Sequence, residues 1–293
     1  MRVAVYGRLL ESSNAPYIQR LFDELHQRDM EVVVYRSFLP HLENKVNLPP
    51  TVGEFKHHND LKDEVDFLLS LGGDGTLLDT VPLIRDSNIP VMGVNLGRLG
   101  FLSSVGKDVI PEAVQALQEE SYQMDTKDLV HVSANHPLFG NANFGLNEFS
   151  IHKRDIASMV VIHASLDGQY LNSYWCDGLI IATPTGSTAY SLSCGGPVIV
   201  PNAKNFVITP VAPHHLNVRP VVVPDSSVIE LELEGHQDSF LCALDSRSEV
   251  IDSSYTLTIK KESFSLQLVR LNETDFLSTL RNKLLWGFDK RNK

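Results

Sequence analysis

A glycine-rich turn with an acidic residue at its centre, Gly72-Gly73-Asp74-Gly75-Thr76, follows the apolar run of residues 65–71. Glycines let the backbone turn sharply and let a ligand approach it closely. The apolar positions from Leu77 onward predict a helix, and a strand, a tight turn and a helix N-terminus together are typical of a phosphate site. Asp74 would repel a polyphosphate unless it binds a cation or faces a hydroxyl group. The turn therefore indicates phosphoryl transfer rather than phosphate binding alone.

The composition limits the class of protein. The 293 residues are 43% hydrophobic and 21% charged, which is enough apolar material for one large domain or, as we expect, two. The formal net charge of −11 disfavours nucleic acid and anionic membranes as partners. The three widely spaced cysteines favour a reducing compartment and no zinc site. Since no signal peptide or long apolar run is evident, the sequence predicts a cytoplasmic protein without a membrane anchor.

The hydrophobic pattern changes along the chain. Up to about residue 121, apolar runs at 3–6, 32–35, 65–71 and 91–94 alternate with helix-period segments at 17–25 and 109–117, which predicts an open parallel sheet. From about 127 to 271, short β-branched runs separated by turn residues predict a β-sandwich-like domain. Within it, residues 255–259 and 265–269 are expected to form separate strands. Residues 275–286 return to helical spacing.

These patterns predict an α/β plus all-β fold in three segments. Residues 1–125 form an open parallel-sheet α/β domain with the glycine turn, and residues 126–271 form a β-rich domain. Residues 272–293 form a C-terminal helix that packs back on the first domain. Residues 38–56, with three prolines and no clear period, are predicted to be an irregular, mobile loop.

A second informative segment begins at Asp177 and continues through a predicted strand at 179–183 into a hydroxyl-rich stretch at 184–197. The small Ser and Thr side chains of this stretch are suited to surround a polar small molecule. Tyr190 offers a flat face on which a base can stack. Upstream, Asn147 can read an adenine edge and Glu148 can accept hydrogen bonds from ribose hydroxyl groups.

Together these motifs resemble those of the NAD kinase family over nearly the whole chain. The acidic glycine turn, the pair Asn147-Glu148 and the signature from Asp177 to Pro197 stand in the family's order. The resemblance implies phosphorylation of the 2′-hydroxyl of the adenosine ribose of NAD, with ATP as donor and NADP and ADP as products. It also implies a divalent cation, Mg²⁺ first, and a homodimer or homotetramer.

The resemblance further implies roles for individual residues. Asp74 becomes the proton acceptor for the ribose hydroxyl or a close partner of the metal, and Gly75 meets the substrate through its backbone. Trp175 and Arg247 stand where a basic residue and a glutamine are expected, and Arg247 is a weaker candidate for a phosphate contact. No protein ligand is assigned to the metal. The other predicted NAD-binding residues are Asn147, Glu148, Asp177, Thr188, Ala189, Tyr190, Ser191, Leu192 and Ser193.

Two other functions stay open at this point. A lipid or diacylglycerol-type kinase shares a similar acidic glycine turn, although the hydroxyl-rich stretch argues against it. A non-catalytic NAD or NADP sensor on the same fold would keep the binding residues, and the intact Asp74 disfavours it. Sequence alone does not show turnover.

Overall fold

The computed structural model describes residues 1–97, 100–154, 159–234, 239–271 and 276–286. The chain divides into two compact units, the first formed by Met1–Thr126 with Leu266–Lys293 and the second by Lys127–Ser265. In chain order, the helices and strands that begin in the first 126 residues are β1 (Arg2–Gly7), α1 (Ala15–Gln27), β2 (Glu31–Tyr35), α2 (Leu39–Leu42), β3 (Val52–Phe55), β4 (Phe67–Leu71), α3 (Asp74–Leu78), α4 (Val81–Ile84), β5 (Val91–Asn95), β6 (Val105–Gly106), α5 (Ile110–Gln118) and β7 (Gln123–Ala134). The later ones are β8 (Phe144–Gly145), β9 (Glu148–Lys153), β10 (Val160–Leu166), β11 (Gln169–Cys176), β12 (Gly178–Ala182), α6 (Tyr190–Ser193), β13 (Asn205–Val211), β14 (Val221–Pro224), β15 (Ile229–Glu234), β16 (Phe240–Leu244), β17 (Arg247–Ile251), β18 (Thr256–Arg270) and α7 (Phe276–Leu284).

The first unit contains a parallel sheet with the strand order β3-β2-β1-β4-β5. Helix α1 buries Ile18, Leu21, Phe22 and Leu25, whose spacing places them on one helical face that packs in the same core as the sheet. The strand order reverses between β1 and β4, and in open sheets of this kind ligands bind beyond the carboxyl ends of the strands at such a reversal. The glycine turn follows β4 directly and therefore lies at that place.

The loop predicted for residues 38–56 is shorter than expected, because α2 and β3 occupy the two ends of the segment and only residues 43–51 between them lack a helix or strand. Pro40 lies in the first turn of α2, where a proline removes no helical hydrogen bond, and Phe38 and Leu42 are fully buried. Strand β3 pairs in parallel with β2 alone among the described strands. An edge strand needs little hydrophobic patterning, so the sequence gives only a weak signal for it.

The second unit contains two sheets. One has the order β14-β13-β12-β9-β16-β17, and the other includes β11, β10, β15 and β18, with antiparallel neighbours in both. Phe149 and Ile181 of the first sheet share one buried cluster with Ile162, Leu231 and Leu257 of the second. The predicted combination of an α/β domain with a sandwich-like β domain is confirmed.

Strand β18 is a single strand, whereas the sequence predicted two strands separated by residues 260–264, of which 260–263 are polar. The polar residues continue the strand because they find partners in the same unit. Lys261 Nζ lies 2.9 Å from carboxylate oxygens of both Asp128 and Asp225, and Glu262 Oε2 lies 2.7 Å from His131 Nδ1. These partners are distant in sequence, so the local pattern did not indicate them.

Helix α7 belongs to the first unit. The ring centroid of Phe276 lies 6.3 Å from that of Phe101, and Lys283 Nζ lies 5.9 Å from the same Phe101 ring. Leu280 is 5% exposed. The remainder of the predicted C-terminal segment, residues 272–275 and 287–293, lies outside the described residues.

Candidate active site

The glycine turn joins β4 to α3 at the carboxyl end of the parallel sheet. Gly72 has a φ of +153°, and a Cβ there would lie 2.4 Å from Thr76 Oγ1, so the turn itself requires glycine at this position. At Gly73 and Gly75, which are exposed, a Cβ would meet no other atom of the described residues within 4 Å. Glycine at these two positions keeps the space above the backbone clear rather than relieving a clash within the fold. Such space is what a ligand bound to the turn would need.

The Asp74 side chain is held by the backbone of the segment that follows β5. Its Oδ2 accepts a hydrogen bond from Phe101 N (2.8 Å), and its Oδ1 accepts from Leu102 N (3.1 Å) and Ser103 N (2.9 Å). A Cβ at Gly100 would lie 1.8 Å from Asp74 Oδ1, so glycine is required there as well. Hydrogen bonds to an ionised acceptor are among the stronger ones in proteins. The carboxylate is therefore fixed in position at the glycine turn.

Arg8 also contacts this turn, and the sequence analysis did not find it. Its guanidinium group donates to both carboxylate oxygens of Asp79, with Nη2 2.6 Å from Oδ1, and Nη2 lies 3.3 Å from Gly75 O. The Tyr6 hydroxyl donates to Asp79 at 3.2 Å, and burial followed by the Asp79 charge raises the pKa of Tyr6 above its usual range. The available sequence signal was the position of Arg8 shortly after the apolar run at 3–6, since neighbouring parallel strands end at the same edge of a sheet.

In the second unit, the predicted pair Asn147 and Glu148 is held by a carboxylate that the sequence analysis did not select. Asp245 accepts hydrogen bonds from Leu146 N at 2.7 Å, from Asn147 N at 2.8 Å and from Glu148 N at 3.2 Å. Asp245 lies between β16 and β17, which makes these contacts distant in sequence. The backbone donors are thus paired, and the side chains of Asn147 and Glu148 are left for other contacts.

Glu148 has a strongly perturbed carboxyl group. Its Oε2 is buried and has no hydrogen-bond partner among the described residues. Burial, and secondarily the nearby Asp245 charge, raise the pKa of Glu148 from 4.5 to about 8. Burial also raises the pKa of Asp245, although its three backbone donors oppose that change. An unpaired buried polar atom of this kind is costly unless a ligand or water meets it.

The turn after β12 packs against the same pair. Thr183 N donates to Asn147 O at 2.8 Å, and Thr183 Oγ1 donates to Leu146 O at 2.6 Å. A Cβ at Gly186 would lie only 2.0 Å from Asn147 O, so glycine is needed where the turn meets this backbone. The start of the hydroxyl-rich stretch and the Asn147-Glu148 pair therefore form one structural cluster with Asp245.

Several hydroxyl groups of the stretch stabilise the turn itself. Ser187 Oγ donates to Pro184 O at 2.7 Å and accepts from Ile199 N at 3.0 Å. Thr188 Oγ1 donates to Thr185 O at 3.2 Å. Ser191 is fully buried and its hydroxyl lies 2.8 Å from Thr209 Oγ1. Of the predicted binding residues here, Ala189, Leu192 and Ser193 are at least partly exposed.

The remaining predicted residues of this unit lie along β9 or beside it. Asp177 forms an ion pair with Lys153, with 2.6 Å between Nζ and Oδ1. The Tyr190 side chain is 42% exposed, and its ring centroid lies 5.6 Å from that of His152. The Asp177 charge also acts on both Tyr190 and His152, which indicates that these residues are near one another. Asp177 and Tyr190 therefore both contact residues of β9, the strand that begins with Glu148.

Arg247 contacts protein carbonyl groups in this structure. Its guanidinium nitrogens donate to Ala142 O and Phe144 O, and the group also lies over the Phe144 ring at 5.9 Å. The predicted phosphate contact of Arg247 stays a prediction. Trp175 is 50% exposed, and its ring lies 6.4 and 6.3 Å from those of His214 and His215.

Comparison with known proteins decides the family. Residues 3–122 match the ATP-NAD kinase N-terminal domain, and residues 146–271 match the ATP-NAD kinase C-terminal domain. The chain belongs to the NAD kinase family. The NAD kinases of Cytophaga hutchinsonii and Bacteroides fragilis are 45% and 38% identical to it, covering 100% and 99% of this chain and 100% of each relative.

Solved structures agree with this membership. An NAD kinase from Archaeoglobus fulgidus in complex with ATP has a TM-score of 0.72 at 25% identity, over 97% of this chain and 99% of the other. Yeast NADH kinase complexed with NADH has the same fold, with a TM-score of 0.89 at 23% identity, over 100% of this chain and 90% of the other. The NAD kinase family and its kinase chemistry, predicted from the motifs, are confirmed. The lipid kinase and sensor alternatives find no support among these relatives.

We expect Glu148→Gln to stabilise the protein in a pH-dependent way. The pKa of about 8 means that folded Glu148 keeps its proton between about pH 4.5 and pH 8, where the unfolded chain has lost it. The folded state then binds more protons, so the free energy of unfolding of the wild type falls as pH rises through this window. Glutamine does not titrate, so the variant does not lose this stability as pH rises. The difference in the free energy of unfolding is roughly 1.4 kcal/mol for each unit by which the pKa of Glu148 is raised.

Urea unfolding at about pH 5 and about pH 9 measures this difference. The variant should gain little at the lower pH and most at the higher one. Glu230→Gln, at an exposed position on β15, is the matched control. An equal effect of Glu148→Gln at both pH values would contradict the raised pKa.

Proposed function

We propose that this chain transfers the γ-phosphoryl group of ATP to the 2′-hydroxyl of the adenosine ribose of NAD, producing NADP and ADP. The main observation in support is the Asp74 carboxylate, which three backbone N–H groups fix in a turn whose exposed glycines leave space above it. The names of the relatives, NAD kinases from several bacteria and one archaeal NAD kinase solved with ATP, support the same reaction.

In the proposed step, Asp74 accepts the proton of the ribose hydroxyl while the ribose oxygen bonds to the γ-phosphorus. The bond from the γ-phosphorus to the bridging oxygen breaks, and ADP leaves with that electron pair. Phosphoryl transfer of this kind depends on alignment and charge neutralisation more than on covalent chemistry. A fixed carboxylate aligns the hydroxyl, and the bare backbone at Gly75 allows the substrate to come close.

We propose that the reaction uses a divalent cation as cofactor and that this cation is Mg²⁺. Among the described residues, no group of three or more His, Cys, Asp or Glu side chains is placed to hold a metal ion. Mg²⁺ is usually bound by one or two carboxylates together with substrate phosphates, so the residues present fit a cation that arrives with ATP. Asp74 is the carboxylate on the glycine turn, and the cation would supply charge neutralisation at the phosphates.

We assign NAD binding mainly to the second unit. The unpartnered Oε2 of Glu148 supports a contact with a ligand hydroxyl, and its retained proton allows Glu148 to donate as well as accept. Asn147 would read the adenine edge, and the exposed Tyr190 ring would stack on a base. The other proposed contacts are Asp74, Gly75, Asp177, Thr188, Ala189, Ser191, Leu192 and Ser193, with Arg247 as a weaker candidate.

We propose a cytoplasmic location. In the part of the chain that the structure describes, none of the helices is long and apolar enough to cross a membrane. Cys176, Cys194 and Cys242 are all present as free cysteines, which fits a reducing compartment. Fractionation of cells that produce the protein would test this location.

Asp74→Asn tests the reaction and the assigned role together. Losing a positioned proton acceptor is expected to lower kcat roughly 10²- to 10⁴-fold while NAD binding persists. Purified protein is incubated with NAD, ATP and magnesium, and NADP is measured with an NADP-specific dehydrogenase. Asp60→Asn is a matched control, because Asp60 also accepts two backbone N–H bonds, from Lys56 and His57, but is exposed.

We expect the wild type to form NADP. This activity should be nearly lost in Asp74→Asn and kept in Asp60→Asn. If the wild type binds NAD yet forms no NADP with ATP, another nucleotide or polyphosphate, the chain is a sensor and the proposed function is wrong. Phosphorylation of a lipid acceptor in place of NAD would favour the lipid kinase.

Gly75→Ala is expected to lower activity without destabilising the fold. The added Cβ meets open space among the described residues, and alanine has a higher helix propensity than glycine. The melting temperature should stay equal or rise, whereas kcat/KM for NADP formation should fall at least about ten-fold because the Cβ enters the ligand space. Gly106→Ala, also at an open position, is the control. Unchanged kcat/KM in Gly75→Ala would contradict a ligand at the turn.

We propose that the protein is a homodimer or homotetramer. Trp175 and Leu216 are 50% and 88% exposed, and large exposed apolar side chains are enriched where proteins associate. Light scattering after gel filtration should give two or four times the 32.6 kDa chain mass, and Trp175→Ser should shift it toward the monomer. A monomeric wild type at micromolar concentration would contradict this proposal.

A further inference from the structure

Asp245 makes a reciprocal backbone contact with the proposed NAD-binding pair. Its carboxylate accepts from Leu146 N, Asn147 N and Glu148 N, and its own N–H donates to Glu148 O at 3.1 Å. Asp245 has a φ of +53°, a left-handed conformation that aspartate tolerates better than most residues. The turn between β16 and β17 is therefore shaped so that this one residue bonds the start of β9 through both its backbone and its side chain.

The surrounding residues leave little freedom for a different arrangement. A Cβ at Gly145 would lie 3.1 Å from Asp245 Oδ1 and 2.9 Å from Leu244 Cδ1, so glycine lets the carboxylate reach the backbone. On its other side, Asn147 O accepts from Thr183 N at 2.8 Å. The Asn147 peptide groups are consequently fixed by Asp245 at the nitrogen and by Thr183 at the oxygen.

We propose that Asp245 is a positioning residue for NAD, which holds the backbone of Asn147 and Glu148 so that their side chains meet the ligand. This inference rests on the proposed function, in which these two side chains bind NAD. Asp245 is not a catalytic residue in this assignment, because no step of the proposed reaction takes place at its carboxylate. Its effect on the reaction passes through the other two residues.

The position of Asp245 beside Glu148 also has a consequence for the pKa of Glu148. The titratable and charged groups near Glu148 are Asp245 from the β16–β17 turn, Cys194 after α6, and Arg247, which acts on Asp245. When two carboxyl groups share a site, repulsion leaves one of them protonated. The three N–H donors of Asp245 favour its ionised form, and the Asp245 charge adds to burial in raising the pKa of Glu148. Removing that charge should lower the pKa of Glu148.

The experiment compares Asp245→Asn with wild type in the NADP-forming assay across pH. An asparagine presents an N–H where a backbone donor needs an acceptor, so at least one bond is lost. Bonds to a charged acceptor are worth about 1.5–3 kcal/mol, which corresponds to a rise in KM for NAD of about 10- to 100-fold. We expect kcat at saturating NAD and KM for ATP to change much less, and the pH dependence of NAD affinity near pH 8 to move to lower pH.

Asp252→Asn is the matched control, because Asp252 accepts a backbone bond from Ser254 N at 2.8 Å in the turn between β17 and β18. It should leave all these parameters unchanged. A fall in kcat with an unchanged KM for NAD in Asp245→Asn would overturn the proposal, and so would wild-type values throughout.

If Asp245→Asn does not fold, Gly145→Ala displaces the same carboxylate by a few tenths of an ångström and should raise KM for NAD by a smaller factor. An unchanged KM for NAD in that variant contradicts the positioning role. If the wild type binds NAD but produces no NADP, the proposed reaction is wrong, but the positioning role of Asp245 is not thereby contradicted. Calorimetric NAD affinities of the same variants then test Asp245 without any turnover.

Discussion

Two loops of this protein depend on carboxylates that act as acceptors for backbone N–H groups. Asp74 accepts from three consecutive residues, 101–103, and Asp245 accepts from three others, 146–148. Backbone donors outside regular helices and strands must find an acceptor, and an ionised carboxylate can accept several at once. Each carboxylate therefore fixes a loop that regular secondary structure does not. One loop contains the pair Asn147-Glu148, and the other is bonded to the aspartate of the glycine turn.

The Asp74 carboxylate has a structural function and, in the proposed reaction, a chemical one. Its backbone bonds hold residues 101–103 in place, and in the proposed reaction the same carboxylate also accepts a proton. Gly100, where a Cβ would lie 1.8 Å from Asp74 Oδ1, is required for the structural function. The bare backbone at Gly75 relieves no clash within the described residues, and in the proposed reaction it lets the substrate come close to Asp74. The glycines near Asp74 therefore have different physical roles: Gly100 makes room for the Asp74 carboxylate, and Gly75 leaves space for a ligand.

The sequence predicted the elements whose signals are local. The parallel strands β1, β2, β4 and β5 were predicted because buried strands are continuous apolar runs, and the glycine turn because its residues are adjacent. Strand β18 was divided wrongly because the pairing of Lys261 with Asp128 and Asp225 spans distant residues. Arg8 and Asp245 were not selected as site residues for the same reason, since Asp245 meets partners 97 to 99 residues away.

Within the hydroxyl-rich stretch, the sequence suggested a group of equivalent binding side chains, and the structure separates them. Ser187 and Ser191 use their hydroxyl groups inside the turn, and Gly186 and Gly196 allow backbone to pack there, with a Cβ at Gly196 only 2.2 Å from Ser191 Oγ. Tyr190, by contrast, is 42% exposed. The sequence shows that the segment consists of small polar residues. Only the hydrogen bonds in the structure show which of their side chains are free to contact a ligand. The hydroxyl groups of Ser187 and Ser191 therefore stabilise the segment, whereas the exposed Tyr190 ring is free to contact a ligand in the proposed function.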